Sequence, residues 1–253
     1  MAAAKETDIT ISYIFNFPEN SEQRQFDIAI DRKTFRLKQL VLKPEDSSGK
    51  LPKWTKLDCH KCPNCPLDEK VHEYCPAATS LIDVIEFFAR RKSTEMVNVV
   101  VKTEPRDYSK YVELHTAVSS LMGIYMAAGG CPVLGQLRPM VQFHLPFAGS
   151  HETFFRNISL YLCKQLLTAK NGGAPDWNIE RVKEGYEAIA EVNRAFIARL
   201  RTLKIDDSAL NALVRLNCFT DFLTFFDEEF LLQTLSGMIP SDLIKIKKRK
   251  FLN

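Results

Sequence analysis

Four of the seven cysteines in this 253-residue chain are followed directly by proline: Cys62-Pro63, Cys65-Pro66, Cys75-Pro76 and Cys131-Pro132. Random placement would give about 0.3 such pairs, so the excess points to a selected arrangement of thiols. Cysteines this dense, in a chain with no sign of a disulfide framework, are the usual mark of a metal or redox centre. A tetrahedral ion draws its donors from a close pair on a tight turn and a second pair from elsewhere. Cys62-Pro-Asn-Cys65 provides the first pair, stiffened by prolines that fix φ and remove amide hydrogens. Cys75 precedes a proline at the expected first position of a helix, where the helix dipole favours a thiolate, and Cys131 follows a Gly-Gly helix stop. The expected ligand set is therefore Cys62, Cys65, Cys75 and Cys131.

Cys59 offers a fully local alternative, Cys59-x2-Cys62-x2-Cys65-x9-Cys75, which is like the start of a ferredoxin run but with too long a final gap. It lacks the proline context of the other four. His60 and His72 are spare donors, of a kind more often exposed or in a supporting position than bound to metal. Four thiolates suit Zn2+ or an iron–sulfur cluster. The Cys-Pro-x-Cys knuckle points to zinc, and the Cys-x2-Cys-x2-Cys triple to [4Fe-4S]. Cys163 and Cys218 lie in apolar helical stretches and are expected to be small core residues.

A second polar group of residues, Arg138, His144, His151, Glu152 and Arg156, is placed to line an anion site at the start of a helix near Glu152, with His144 as acid or base. No nucleophile, second carboxylate or glycine-rich phosphate loop accompanies them, so no convincing catalytic constellation is present.

The elements that must position these residues follow from periodicity. Apolar positions alternate at Ile9, Ile11, Tyr13, Phe15 and Phe17, then at Phe26, Ile28 and Ile30, which predicts a β-hairpin. A third strand is expected around Phe35 to Val41, and a second hairpin at Met96 to Lys102 and Tyr108 to Leu114. Helical spacing appears at Leu81, Val84, Ile85 and Phe88, and helices dominate after residue 115. Asp176 is expected to cap a long helix, with another starting at Asp206 or Asp207 and running to Leu235, joined as an antiparallel helical hairpin. The expected fold is α+β: an antiparallel sheet of about five strands, a thiolate metal site and a helical C-terminal half, divided into a metal-binding part at 1–170 and a hairpin with basic tail at 171–253.

Composition narrows the function. Net charge is +3, of which the segment 241–253 contributes +4, leaving a balance that gives no strong nucleic-acid signal. The start, Met1-Ala-Ala-Ala-Lys5, carries no apolar export signal, and no apolar stretch reaches the length of a membrane span, so a cytoplasmic protein is expected. The phenylalanine-rich run from Phe219 to Leu235 exceeds one helical face and is expected to be deep core.

Trp54 to Leu67, Ser119-Ser-Leu-Met-Gly123, Gly130-Cys-Pro132 and Arg138-Pro-Met-Val-Gln-Phe-His-Leu-Pro-Phe-Ala148 together resemble a bacterial family of uncharacterised domains. The resemblance covers roughly residues 8 to 168 and leaves out the hairpin after residue 175. It implies that the position of Cys59 need not be cysteine, which favours the four Cys-Pro ligands, and it implies no activity. Two function classes follow: a zinc-stabilised binding or adaptor protein that presents a surface to a protein partner, and an iron–sulfur redox or sensor protein.

Overall fold

Strict alternation of buried and outward residues along Ile9–Phe17 (β1) places Ile9, Ile11, Tyr13, Phe15 and Phe17 on one face and leaves the other to solvent. The computed structural model describes residues 8–38, 50–224 and 228–243. β1 pairs with Glu22–Ile30 (β2) on one side and with Met96–Thr103 (β3) on the other. Asp107–Glu113 (β4) completes an antiparallel sheet of order β2-β1-β3-β4.

Among the described residues the sheet thus has four strands, not five. After Ile30 the backbone turns: the Asp31 carboxylate accepts from Lys33 N and Thr34 N, and Phe35 takes a positive φ of 54°. That left-handed residue redirects the chain, and only a single bridge, Ile30 to Leu37, remains of the expected third strand. Residues 39–41 of that expectation lie outside the described residues.

Helices cover the apolar face, and they begin well before the C-terminal half. Pro76–Ser80 (α1) and Ile82–Phe88 (α2) precede β3, and Leu114–Ala128 (α3) follows β4 directly. Phe88 of α2 packs edge-on against Phe15 at the sheet centre, with ring centroids 5.1 Å apart. Then come the four-residue Pro139–Gln142 (α4), Ser150–Lys170 (α5), Val182–Leu200 (α6), Ser208–Thr224 (α7) and Glu228–Met238 (α8). Of the expected helix to Leu235, residues 208–224 and 228–235 are helical, and 225–227 lie outside the described residues. Asp176 does not cap α6: it accepts from Glu180 N, Arg181 N and the Tyr161 hydroxyl, closing a turn in which Ile179 has φ of 66°, so the helix starts only at Val182.

α7 packs along both α3 and α6. One apolar cluster accordingly joins Phe15 and Val99 of the sheet to Leu121 of α3, Phe196 of α6 and Leu213 of α7. Cys163 and Cys218 are exposed rather than buried, because α5 and α7 each turn only one stripe inward and both cysteines fall on the outer face. The basic run from Lys245 to Lys250 and residues Phe225 and Phe226 lie outside the described residues. No helix among the described residues is long and apolar enough to cross a membrane.

Candidate functional site

The segment 50–75 has little regular structure and is held by scattered backbone pairing. A 3-10 turn at Lys53–Thr55, a bridge between Lys56 and Tyr74, and bonds from Leu57 N to Glu73 O and from Cys75 N to Thr55 O fold it back on itself. Cys62 and Cys65 face each other across a tight turn closed by Cys65 N donating to Cys62 O at 3.0 Å. Cys75 precedes the first residue of α1. Cys131 follows Gly130, whose φ of 98° suits a residue without Cβ, and Gly129 has no room for one because a Cβ there would stand 2.5 Å from Tyr125 O. The Gly-Gly stop thus brings the end of α3 against α1.

These elements bring Cys62, Cys65, Cys75 and Cys131 to the wall of one cavity of about 10 Å³, with Leu57, Leu67, Val192 and Phe196 around them. Cys59, His60 and His72 do not line it, and both histidines are exposed. Among the described residues no group of three or more His, Cys, Asp or Glu side chains stands in an arrangement that could hold a single metal ion. The four sulfurs share a cavity without closing on one point.

Burial pushes the Cys62 thiol up to about 12, with the neighbouring Cys75, Cys131 and Cys65 adding to the rise and Arg199 opposing it. Burial also raises Cys75, although the amides of Ala78 and Ala77 and the charge of Arg199 pull it down. Cys131 is raised by burial against the amides of Leu134 and Val133. The start of α1 acts on Cys75 in the expected direction, but desolvation outweighs it.

Arg199 was not foreseen. It lies on α6, lines the same cavity, and is 1% exposed. Its Nη1 donates to Trp54 O and Lys56 O, both at 2.6 Å, while its Nε has no partner. Among the described residues no carboxylate pairs with it. A lone arginine on an amphipathic helix reads as a solvated charge, and nothing local in the sequence marks this one as buried. Asn64 ties the same loop to α6 by donating to Ala188 O at 2.9 Å.

The second group of residues comes together only in part. Arg138 donates to Gly135 O and Thr34 O, His151 is exposed, and Glu152 accepts from Gly149 N at the start of α5. His144 and Arg156 do share a cavity, of about 190 Å³, between α3, α5, α6 and α7. A chain of hydrogen bonds leads to His144: Phe147 N donates to Ser120 Oγ, which bonds the Tyr13 hydroxyl at 2.8 Å, and that hydroxyl bonds His144 Nε2 at 2.5 Å. Burial, with the nearby charge of Arg156, lowers the His144 pKa to about 3, so the ring is neutral.

A pH dependence follows. The unfolded histidine, with pKa near 6.5, takes up a proton before the folded one does. The stability due to the neutral ring is complete above pH 6.5 and declines as pH falls toward 3. Over the 1.5 units from pH 6.5 to 5 the loss is about 2 kcal/mol at the full linkage slope of 1.36 kcal/mol per unit. Urea midpoints across this range should fall for the native chain and be flatter for His144→Gln.

A family model described as "Domain of unknown function (DUF6901)" matches residues 11–236. The match takes in the helical hairpin that the sequence resemblance left out. No curated protein and no solved structure matches the chain.

Proposed function

The chain belongs to the DUF6901 family, and we propose that it is a metal–thiolate protein in which Cys62, Cys65, Cys75 and Cys131 hold Zn2+ that staples the fold of a binding or adaptor protein. The observation that carries this reading is the cation in the wall. A buried charge needs a counter-charge, and the groups around Arg199 able to become negative are the four thiols. Burial raises Cys62, Cys75 and Cys131, so without a metal those thiols are neutral at pH 7 and Arg199 stays uncompensated. A metal deprotonates them. Four thiolates on Zn2+ carry a net charge of −2, which Arg199 partly offsets.

A cavity of about 10 Å³ is the size of one small sphere, which favours a single ion. Loading would draw the sulfurs inward to the ~2.3 Å bonds that zinc makes with thiolate. Four protein thiolates leave no open position on zinc, so the centre is structural: it fastens the loop 59–75 to the bend at Cys131 and, through Arg199, to α6.

A second reading, an iron–sulfur redox or sensor centre, is favoured by the Cys59-x2-Cys62-x2-Cys65 triple, the spacing that opens a ferredoxin run. Metal analysis and an absorption spectrum of the protein purified without oxygen separate the two. Zinc at one equivalent in colourless protein is the expected result. A brown protein absorbing near ~400 nm and giving an EPR signal after reduction would establish the cluster. Protein without bound metal, and unaffected by Cys62→Ser, would refute both.

A further inference from the structure

The 190 Å³ cavity has no part in the thiolate centre. Its walls are apolar for most of their area, with Ile124, Met140, Leu216 and Phe219 among them. At about 190 Å³ it exceeds the ~150 Å³ hydrophobic cavity that takes up benzene, and so has room for roughly seven to ten heavy atoms.

The polar groups at this cavity have spare donors. Arg156 uses Nη2 to donate to Met140 O at 3.3 Å and Phe143 O at 2.7 Å, and among the described residues its Nε and Nη1 meet no acceptor. No Asp or Glu of the described residues lies within ion-pairing distance of it. Glu152, the nearest carboxylate in sequence, is turned to Gly149 N. The Tyr186 hydroxyl, on the same wall, has no hydrogen-bond partner among the described residues. The neutral His144 lines the same cavity and is occupied by Tyr13. A cationic fork and a phenol with unused hydrogens, both in the wall of an apolar chamber, lack an acceptor with negative charge.

We propose that this cavity binds a small monocarboxylate with an apolar body, an aromatic or medium-chain carboxylic acid whose carboxylate sits on Arg156 and Tyr186. The planar guanidinium can meet both oxygens of a carboxylate. A phosphate dianion fits less well, because Arg215, the other arginine in the wall, lies over the Phe219 ring at 5.1 Å and the remaining walls are mostly apolar, so a second charge is costly to desolvate. The apolar body replaces water against the aliphatic and aromatic wall and supplies the hydrophobic part of the affinity.

Calorimetric titration of the full chain with octanoate, benzoate and the neutral analogue octanol tests this. Saturable binding of at least one of the acids is expected, with octanol at least tenfold weaker than octanoate. Arg156→Met should weaken octanoate binding by about 10- to 100-fold, the range for loss of a charged hydrogen bond, and leave octanol unchanged. Tyr186→Phe, which keeps the ring, should weaken it several-fold. Equal affinity for octanol and octanoate would overturn the carboxylate assignment, as would unchanged binding by Arg156→Met. Failure of both acids to bind would overturn the site. If circular dichroism shows that Arg156→Met does not fold, Tyr186→Phe and the octanol comparison decide the matter. None of these outcomes bears on the cysteines, whose metal content is read separately.

Discussion

Cys131→Ser is expected to lower bound metal to below half of the native content and to reduce the unfolding midpoint by about 10 °C. Metal binding free energy is folding free energy when the unfolded chain has no site, and for a four-ligand structural zinc it amounts to ~10–16 kcal/mol. Removing one of four donors forfeits roughly a quarter of this, about 3 kcal/mol, which for a chain of this length corresponds to roughly 6–12 °C. Cys131 is the informative choice because it lies 56 positions beyond Cys75 in the sequence and reaches the shared cavity only through the Gly129-Gly130 stop. Its loss detaches the end of α3 from the loop that carries the other three. Cys59→Ser and Cys163→Ser are the matched controls: neither residue lines the cavity, and each substitution should change the midpoint by no more than about 0.5 kcal/mol equivalent. Thermal melts with and without a chelator provide the measurement. A native chain that melts identically in both, and a Cys131→Ser chain that melts with it, would remove the metal from the account.

The strands were legible because β1 and β2 are buried on one face only, so the period of two survives in Ile9 to Phe17 and Phe26 to Ile30. Phe35 and Leu37 carry the same apolar signal but follow an Asp31 turn whose left-handed residue is a phenylalanine. That backbone state is one that residue type does not announce. Helix starts were misplaced where a capping-type residue closes a separate turn instead, as Asp176 does before α6. Cys163 and Cys218 show the limit of composition: an apolar neighbourhood along the chain does not say which side of the helix a residue takes. The gathering of four cysteines around one cavity could be anticipated because proline and glycine mark the bends that carry them. Arg199 could not, since its role depends on α6 lying across the loop 54–65, a contact between residues more than a hundred positions apart. The Arg156 and Tyr186 pair was half visible, for Arg156 belongs to the polar group read from sequence while nothing in the sequence sets Tyr186 apart.

Arg199→Met is expected to weaken the metal-loaded protein while leaving the stability of the metal-stripped protein nearly unchanged. In the stripped protein the thiols are protonated, because burial raises Cys62, Cys75 and Cys131, and the guanidinium is a buried cation whose Nε has no partner. Replacing it with an apolar side chain of similar length removes that desolvation cost. It also removes two hydrogen bonds, to Trp54 O and Lys56 O, leaving those carbonyls to be hydrated or unpaired. Apolar replacement of buried charges ranges from neutral to about 1–4 kcal/mol stabilising, and two lost bonds take back about 1–3 kcal/mol, so little net change should appear. In the loaded protein the same substitution strips a positive charge from the side of a −2 centre. Loss of a supporting group beside metal ligands costs about 10- to 100-fold in metal affinity, and the variant should release zinc to a chelator by that factor more readily. Lys cannot substitute fully, because its ammonium is a point charge without the planar fork that reaches two carbonyls at once, so Arg199→Lys should fall between the two. Chelator competition and urea unfolding, each run on loaded and stripped protein, give four numbers per variant. Destabilisation of the stripped protein by several kcal/mol with unchanged zinc affinity would mean that Arg199 serves only to pin the loop, and the cysteines would have lost the charge that argues for their ionisation.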